Sequence, residues 1–155
     1  MTSQDIQAPE AAERKLRRAL EVRGQRYTAQ RAAVYRFLYA TDVHPTAEDV
    51  FRRVRHELPG ISLATVYKSL ETLVTCGLAQ KLSYGDSSAR YDGRTDPHSH
   101  ARCLGCGRIA DVPGPTPVAE PLGLEPHAGH FRVTGYRLEL IGYCPECDPG
   151  EGARA

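Results

Sequence analysis

Apolar residues recur at helical spacing through the first half of the chain and in short, broken runs through the second. Pro9 opens a polar run containing Ala and Leu that reaches Val22 before Gly24 breaks it, which predicts a first helix. Thr28 can cap a second helix, with Val34, Phe37 and Leu38 on one face and an end near Tyr39 or Ala40. Thr46 with Asp49 makes a capping-box pattern for a third, in which Val50, Val54 and Leu58 recur every fourth residue until Pro59 and Gly60 stop it. Ser62 can cap a fourth, carrying Leu63, Val66, Leu70 and Leu73 on one stripe and ending at Gly77 in a left-handed cap. Residues 78–84 and 90–92 then flank Gly85-Asp86-Ser87-Ser88-Ala89, a loop suited to a short hairpin.

Three helices followed by a hairpin describe a winged helix. Such a fold sets the fourth helix into the major groove while the wing and earlier helix ends hold phosphates. Tyr67 and Lys68 lie on a face distinct from the apolar stripe, and small Thr65 and Ser69 let that face approach bases. Half-buried helix packing is the other reading of Tyr67, since winged helices also serve as protein-interaction modules.

Residues 94–147 read as short strands punctuated by Gly, Pro and paired cysteines, and no internal repeat is visible. The 155 residues, 41% hydrophobic, suffice for one medium domain or two small ones. The expected class is α+β: a winged-helix domain over 10–92, a hinge at 93–96, a small α/β domain over 97–147, and flexible tails at 1–9 and 148–155. The apolar runs are short and no basic segment followed by an apolar one opens the chain, so a cytoplasmic protein without a membrane partner is expected.

The net charge of +1 favours no particular partner, but its distribution does. Arg14, Lys15, Arg17, Arg18, Arg23, Arg26, Arg31 and Arg36 face the single acid Glu21 in that stretch, as suits a segment meeting phosphates; a solvated helix face is the plainer alternative.

Without a secretion signal the five cysteines should stay reduced, so their spacing points to metal before disulfides. Cys103-Leu104-Gly105-Cys106 and Cys144-Pro145-Glu146-Cys147 are two CxxC knuckles. Each presents two sulfurs from one tight turn, and zinc accepts four thiolates tetrahedrally at ~2.3 Å. A redox dithiol pair or an iron–sulfur site are the alternatives. Cys76 stands alone and reads as a small buried hydrophobe. In His98-Ser99-His100, alternate residues of a strand share a face and can share an ion. His44, Asp92 and Asp111 are further candidates that no spacing joins to them. His127, His130 and His56 read as surface residues.

The combination resembles a known family. Gly24-Gln25-Arg26-Tyr27-Thr28-Ala29-Gln30-Arg31, His44-Pro45-Thr46-Ala47, Ser62-Leu63-Ala64-Thr65-Val66-Tyr67 and His98-Ser99-His100-Ala101-Arg102-Cys103-Leu104-Gly105-Cys106-Gly107 look like successive signatures of the ferric uptake regulator family, in the same order, over about residues 14–147. Residues 84–92 and Asp111 resemble its peroxide-sensing subgroup. The resemblance implies a homodimer, with residues 97–147 as the dimerisation domain, that represses by binding a palindromic double-stranded DNA operator. It implies structural Zn²⁺ on Cys103, Cys106, Cys144 and Cys147, and regulatory Fe²⁺ or Mn²⁺ on His44, Asp92, His98, His100 and Asp111. It implies release of DNA when peroxide oxidises His44 or His98, and DNA contacts from Arg26, Ser62, Thr65, Tyr67 and Lys68. Imidazole and carboxylate suit Fe²⁺ and Mn²⁺, and the absence of thiolates from that set disfavours Zn²⁺ and Cu⁺. An ion joining both halves would lock the DNA-binding heads in one orientation, the differential contact a ligand switch requires.

Two departures from the family pattern stand out. Pro113, Pro115, Pro117, Pro121 and Pro126 make a long helix after Asp111 unfavourable. Gly135-Tyr136 replaces a histidine that serves an additional metal site in some members, so that site is expected to be absent. A plain iron- or manganese-responsive repressor is the nearest alternative. A small zinc or iron metalloenzyme is a distant one, because the His-x-Glu pair of zinc deaminases is missing; no enzyme activity is expected.

Overall fold

The computed structural model describes residues 3–84, 88–114, 127–128, 130–132 and 139–150. It divides into two compact units, residues 1–95 and 96–155.

The first unit runs α1 (Ser3–Val22), α2 (Ala29–Ala40), α3 (Ala47–Val54), α4 (Leu63–Thr75), β1 (Gln80–Leu82) and β2 (Arg90–Asp92). Three of the starts follow from caps visible in the sequence. The Thr28 hydroxyl accepts from the Arg31 N–H, Ser62 from the Thr65 N–H, and Thr46 closes a full capping box with Asp49. Gly24 and Gly77 end α1 and α4 at φ +61° and +70°, which side chains with a Cβ rarely adopt. α1 differs from the sequence reading: it begins at Ser3, so Pro9 and the expected 1–9 tail boundary fall inside it. Residues 3–8 are mostly ordinary helix formers, and the helix runs on through the proline's missing N–H.

The core is built by Leu16 and Leu20 of α1, Val34, Tyr35 and Leu38 of α2, Val50 and Val54 of α3, Val66, Leu70 and Leu73 of α4, and Leu78 and Tyr91 around the hairpin. Each such buried aliphatic side chain contributes about 1.5–3 kcal/mol. Of the Val34, Phe37 and Leu38 face, Val34 and Leu38 are buried and Phe37 packs at the rim, while Tyr35, which that face did not include, is fully buried. Cys76 also packs against this core. The wing pairs β1 with β2 antiparallel, Lys81 opposite Tyr91; its tip, 85–87, lies outside the described residues.

In the second unit β3 (Ser99–Cys103) is central, antiparallel to β4 (Ile109–Val112) and parallel to β7 (Leu140–Gly142). A short separate pair joins β5 (His127–Ala128) to β6 (Phe131–Arg132). The described residues of this unit hold strands and turns only. The stretch 115–126, where the prolines disfavour a helix, and Gly135-Tyr136 lie outside the described residues. His130 and His56 are exposed, as expected. Among the described residues no helix is long and apolar enough to cross a membrane.

Candidate metal centres and nucleic-acid face

The two CxxC knuckles come together at one end of the β4-β3-β7 sheet. Cys103 ends β3, and the Leu104 N–H donates to Gly142 O at 2.7 Å, tying the first knuckle to the strand that leads into the second. Gly107, at φ +71°, turns the chain back so that its N–H reaches Cys103 O. One sulfur-ligand atom from each of Cys103, Cys106, Cys144 and Cys147 lies within 4.8 Å of the others. Tetrahedral zinc with ~2.3 Å arms asks for sulfurs about 3.8 Å apart, and Cys106 Sγ to Cys144 Sγ is 3.8 Å. Gly105 completes the fit, because a Cβ there would stand 2.7 Å from Cys147 Cβ. These four could hold a zinc ion.

Their protonation is uneven. The Cys144 N–H, with those of Cys106 and Gly105, points at the Cys103 sulfur and draws its pKa down to about 6. Its thiol neighbours, Cys144 first, push Cys147 up to about 12, and desolvation raises Cys144. The backbone donors thus favour the thiolate at Cys103, while the surroundings of Cys144 and Cys147 favour their protonated thiols.

In the first unit, His44 and Asp92 are both buried, with Nε2 to Oδ2 at 3.6 Å. Residues 44–46 run beside β2 to achieve this. Thr46 forms an isolated antiparallel bridge with Arg90, the Tyr91 N–H donates to Pro45 O at 2.9 Å, and Arg90 Nη1 donates to His44 O at 3.0 Å. The other Asp92 oxygen accepts from the Arg94 N–H at 2.7 Å, which fixes the carboxylate's orientation. Gly93 between them has no room for a Cβ, which would meet Leu38 O at 2.4 Å.

In the second unit, His100 is the direct cross-strand partner of Asp111, and His98 reaches the same face two residues earlier. Asp111 Oδ1 lies 3.3 Å from His98 Nε2 and 3.5 Å from His100 Nε2. His98 Nδ1 sits 2.8 Å from the Asp96 carbonyl oxygen, which only accepts. In neutral His98 that contact places the proton on Nδ1 and turns the Nε2 lone pair toward a carboxylate oxygen. Two electron-rich atoms face each other at contact distance, an arrangement that suits a cation between them.

On α4, Tyr67 and Lys68 are exposed and Thr65 is half-buried, while Ser62 holds the helix N-cap. Ser69 refines the sequence reading. It is buried and its hydroxyl donates to Thr65 O, so it offers no polar group outward and only lines the floor of the groove beside α4. Arg26, Gln30, Arg31, Thr65 and Lys68 line an open groove between the start of α2 and α4. Arg31 is largely committed within the fold, donating to Gln25 Oε1 and Thr72 Oγ1 at 3.2 Å each and to Arg26 O. Arg17 stacks at 3.8 Å over the Tyr27 ring. Sequence reasoning missed one partner of this face: the Tyr67 hydroxyl donates to Glu48 Oε1 on α3 at 2.9 Å. Glu48 stands in a first helical turn, where an acid is expected for the helix dipole alone, so nothing in the sequence pointed to it.

A sequence profile of the ferric uptake regulator family matches residues 22–140. The peroxide operon regulator of Bacillus subtilis is 39% identical over 145 residues, covering 90% of this chain and 98% of that protein. The peroxide-responsive repressor PerR of Staphylococcus saprophyticus is 39% identical over 129 residues, covering 83% and 86% respectively. In structure, the chain resembles the ferric uptake regulator Fur of Helicobacter pylori with a TM-score of 0.70 at 23% identity, over 90% of this chain and 93% of that one, a likeness of fold. With the profile spanning most of the chain and relatives this similar over nearly all of it, the protein belongs to the ferric uptake regulator family.

Proposed function

We propose that this chain is a homodimeric, metal-dependent transcriptional repressor that senses peroxide. Cys103, Cys106, Cys144 and Cys147 would hold structural zinc, and His44, Asp92, His98, His100 and Asp111 would share one Fe²⁺ or Mn²⁺ ion. The observation that carries the regulatory reading is Asp111 Oδ1 set between His98 Nε2 and His100 Nε2, a nitrogen and oxygen donor set of the kind that suits these two ions. The first unit would present α4 to the major groove of a palindromic operator, with Tyr67, Thr65 and Lys68 at bases and Arg26 and Ser62 at the backbone.

A bound ferrous ion would supply the electron that reduces peroxide beside the ligand rings, which manganese does not readily do. His44 and His98 are the rings proposed to gain an oxygen atom. A ring so modified donates more weakly, and DNA affinity should fall with metal affinity. The relatives named peroxide-responsive support this over a plain metal sensor.

The test is operator binding by protein loaded with Fe²⁺ or Mn²⁺, before and after the same peroxide dose, with peptide mass spectrometry on each sample. The expected result is metal-dependent binding with both ions, and release only from the iron form with one oxygen added on His44 or His98. Oxidation confined to cysteines, or release with both histidines unmodified, would leave an iron- or manganese-responsive repressor in its place.

A further inference from the structure

Tyr67 and Glu48 stand on different helices, and the core does not force their contact. Tyr67 is 40% exposed, yet its hydroxyl is aimed at Glu48 Oε1 across 2.9 Å. The carboxylate is held there from its own side. Glu48 sits in the first turn of α3, whose start is fixed by the Thr46–Asp49 capping box, and backbone N–H groups at a helix start favour an anion. Its own N–H and the Tyr67 hydroxyl keep the Glu48 carboxyl below the ordinary range, and the same hydrogen bond raises Tyr67. The shared proton therefore stays on the tyrosine and points at the acid.

A tyrosine hydroxyl owns one hydrogen. With that hydrogen directed at Glu48, the oxygen offers a neighbour only lone pairs. In the major groove, adenine N6 and cytosine N4 are donors, whereas thymine O4, guanine O6 and guanine N7 are acceptors. An acceptor-only oxygen accepts from the first pair and repels the second. The Glu48 carboxylate beside it has the same polarity.

We propose that Tyr67 and Glu48 form an acceptor-only reading edge, and that Glu48 is a specificity-determining residue that restricts Tyr67 to an amino base, adenine or cytosine, at the position it contacts. The proposal rests on the reading of α4 as the helix that meets bases. It also accounts for an acid at such a surface. A carboxylate near phosphates weakens binding to every sequence, and discrimination against wrong bases is what it provides in return.

The experiment uses manganese-loaded full-length protein as wild type, Tyr67→Phe and Glu48→Ala. Each selects from a random duplex library. Each is then titrated with the wild-type-selected duplex, either intact or with the contacted amino group deleted, for example purine in place of adenine. Tyr67 is exposed and Glu48 half-buried outside the hydrophobic core, and unchanged thermal midpoints and zinc content confirm intact folds. Wild type should lose about tenfold in affinity when the amino group is removed. Tyr67→Phe should be indifferent to the deletion. Glu48→Ala should accept keto bases at that same position, because its tyrosine can turn its hydrogen to the base, while binding random DNA more tightly than wild type does. If Glu48→Ala keeps the amino preference that Tyr67→Phe loses, this inference fails and Tyr67 remains a base reader. If Tyr67→Phe keeps every preference of the wild type, the hydroxyl reads nothing and the inference fails as well. If wild type selects no sequence, the DNA-reading proposal itself falls.

Discussion

Gly105 lies directly against Cys147, where a Cβ would stand 2.7 Å from Cys147 Cβ and 3.0 Å from its Sγ. The second knuckle can close on the first only because this residue has no side chain. Gly105→Ala should push the Cys147 sulfur off its corner of the tetrahedron and weaken zinc retention by about 10–100-fold, the range seen when groups orienting a metal site are disturbed. Competition with a chromophoric chelator measures it. Retention equal to wild type would mean the knuckles do not need this approach.

The thiol pKa pattern predicts how zinc uptake depends on pH. Cys103, drawn down to about 6, is ionised at neutral pH before metal arrives, whereas Cys147, pushed up to about 12, must release a proton on binding. For Cys103 the folded value lies below the ordinary thiol value, so its contribution is present above that value and fades as pH falls through about 6. Proton release per zinc should therefore rise between pH 7 and 5.5, and affinity should fall more steeply there. Calorimetry in buffers of differing ionisation enthalpy counts the protons; a constant count across that window would contradict the Cys103 assignment.

The helices were legible because their signals are local. Thr28, Thr46 and Ser62 each cap a helix through a residue three positions on, and Val66, Leu70 and Leu73 mark the buried stripe by spacing alone. The four cysteines were legible because each knuckle is one turn. His44 and Asp92 were not joined by any spacing, since they meet through a bridge between Thr46 and Arg90 that only folding creates. The burial of Ser69 was not legible, because its hydroxyl bonds back to Thr65 O and leaves only the side chain's small size on the groove floor. Glu48 was invisible as a partner of Tyr67 because a surface contact between two helices has no period.

Gly93→Ala should destabilise the first unit. Its Cβ would lie 2.4 Å from Leu38 O, a backbone atom that cannot swing aside, so β2 or the end of α2 must shift. Forcing extra atoms into packed structure costs about 1–3 kcal/mol, and each 1 kcal/mol lowers the midpoint by about 4–8 °C in a domain of this size. The same shift moves Asp92, so manganese affinity should drop as well. Thermal melts with and without Mn²⁺ check both effects, and an unchanged metal-free midpoint would show that the turn relaxes freely.

Asp111 is the residue on which the two proposed roles of the second-unit donors divide. Its Oδ1 lies 3.3 Å from His98 Nε2 and 3.5 Å from His100 Nε2, and the ladder fixes it opposite His100. Asp111→Asn keeps the shape and removes the charge. If the carboxylate is a ligand, Mn²⁺ should bind at least about tenfold more weakly, and DNA binding should fail at manganese levels that saturate wild type and return at higher ones. Asp111→Glu keeps the charge and lengthens the arm. It should retain most metal-dependent DNA binding while slowing oxygen gain on His44 and His98, because oxidation depends on the placing of the ion against the rings and repression only on its presence. Manganese titrations followed by DNA binding test the first variant, and timed peptide mass spectrometry of iron-loaded protein after peroxide tests the second. An Asn variant that binds manganese like wild type removes Asp111 from the ligand set. A Glu variant oxidised at the wild-type rate would mean that the length of this one side chain does not set peroxide sensitivity.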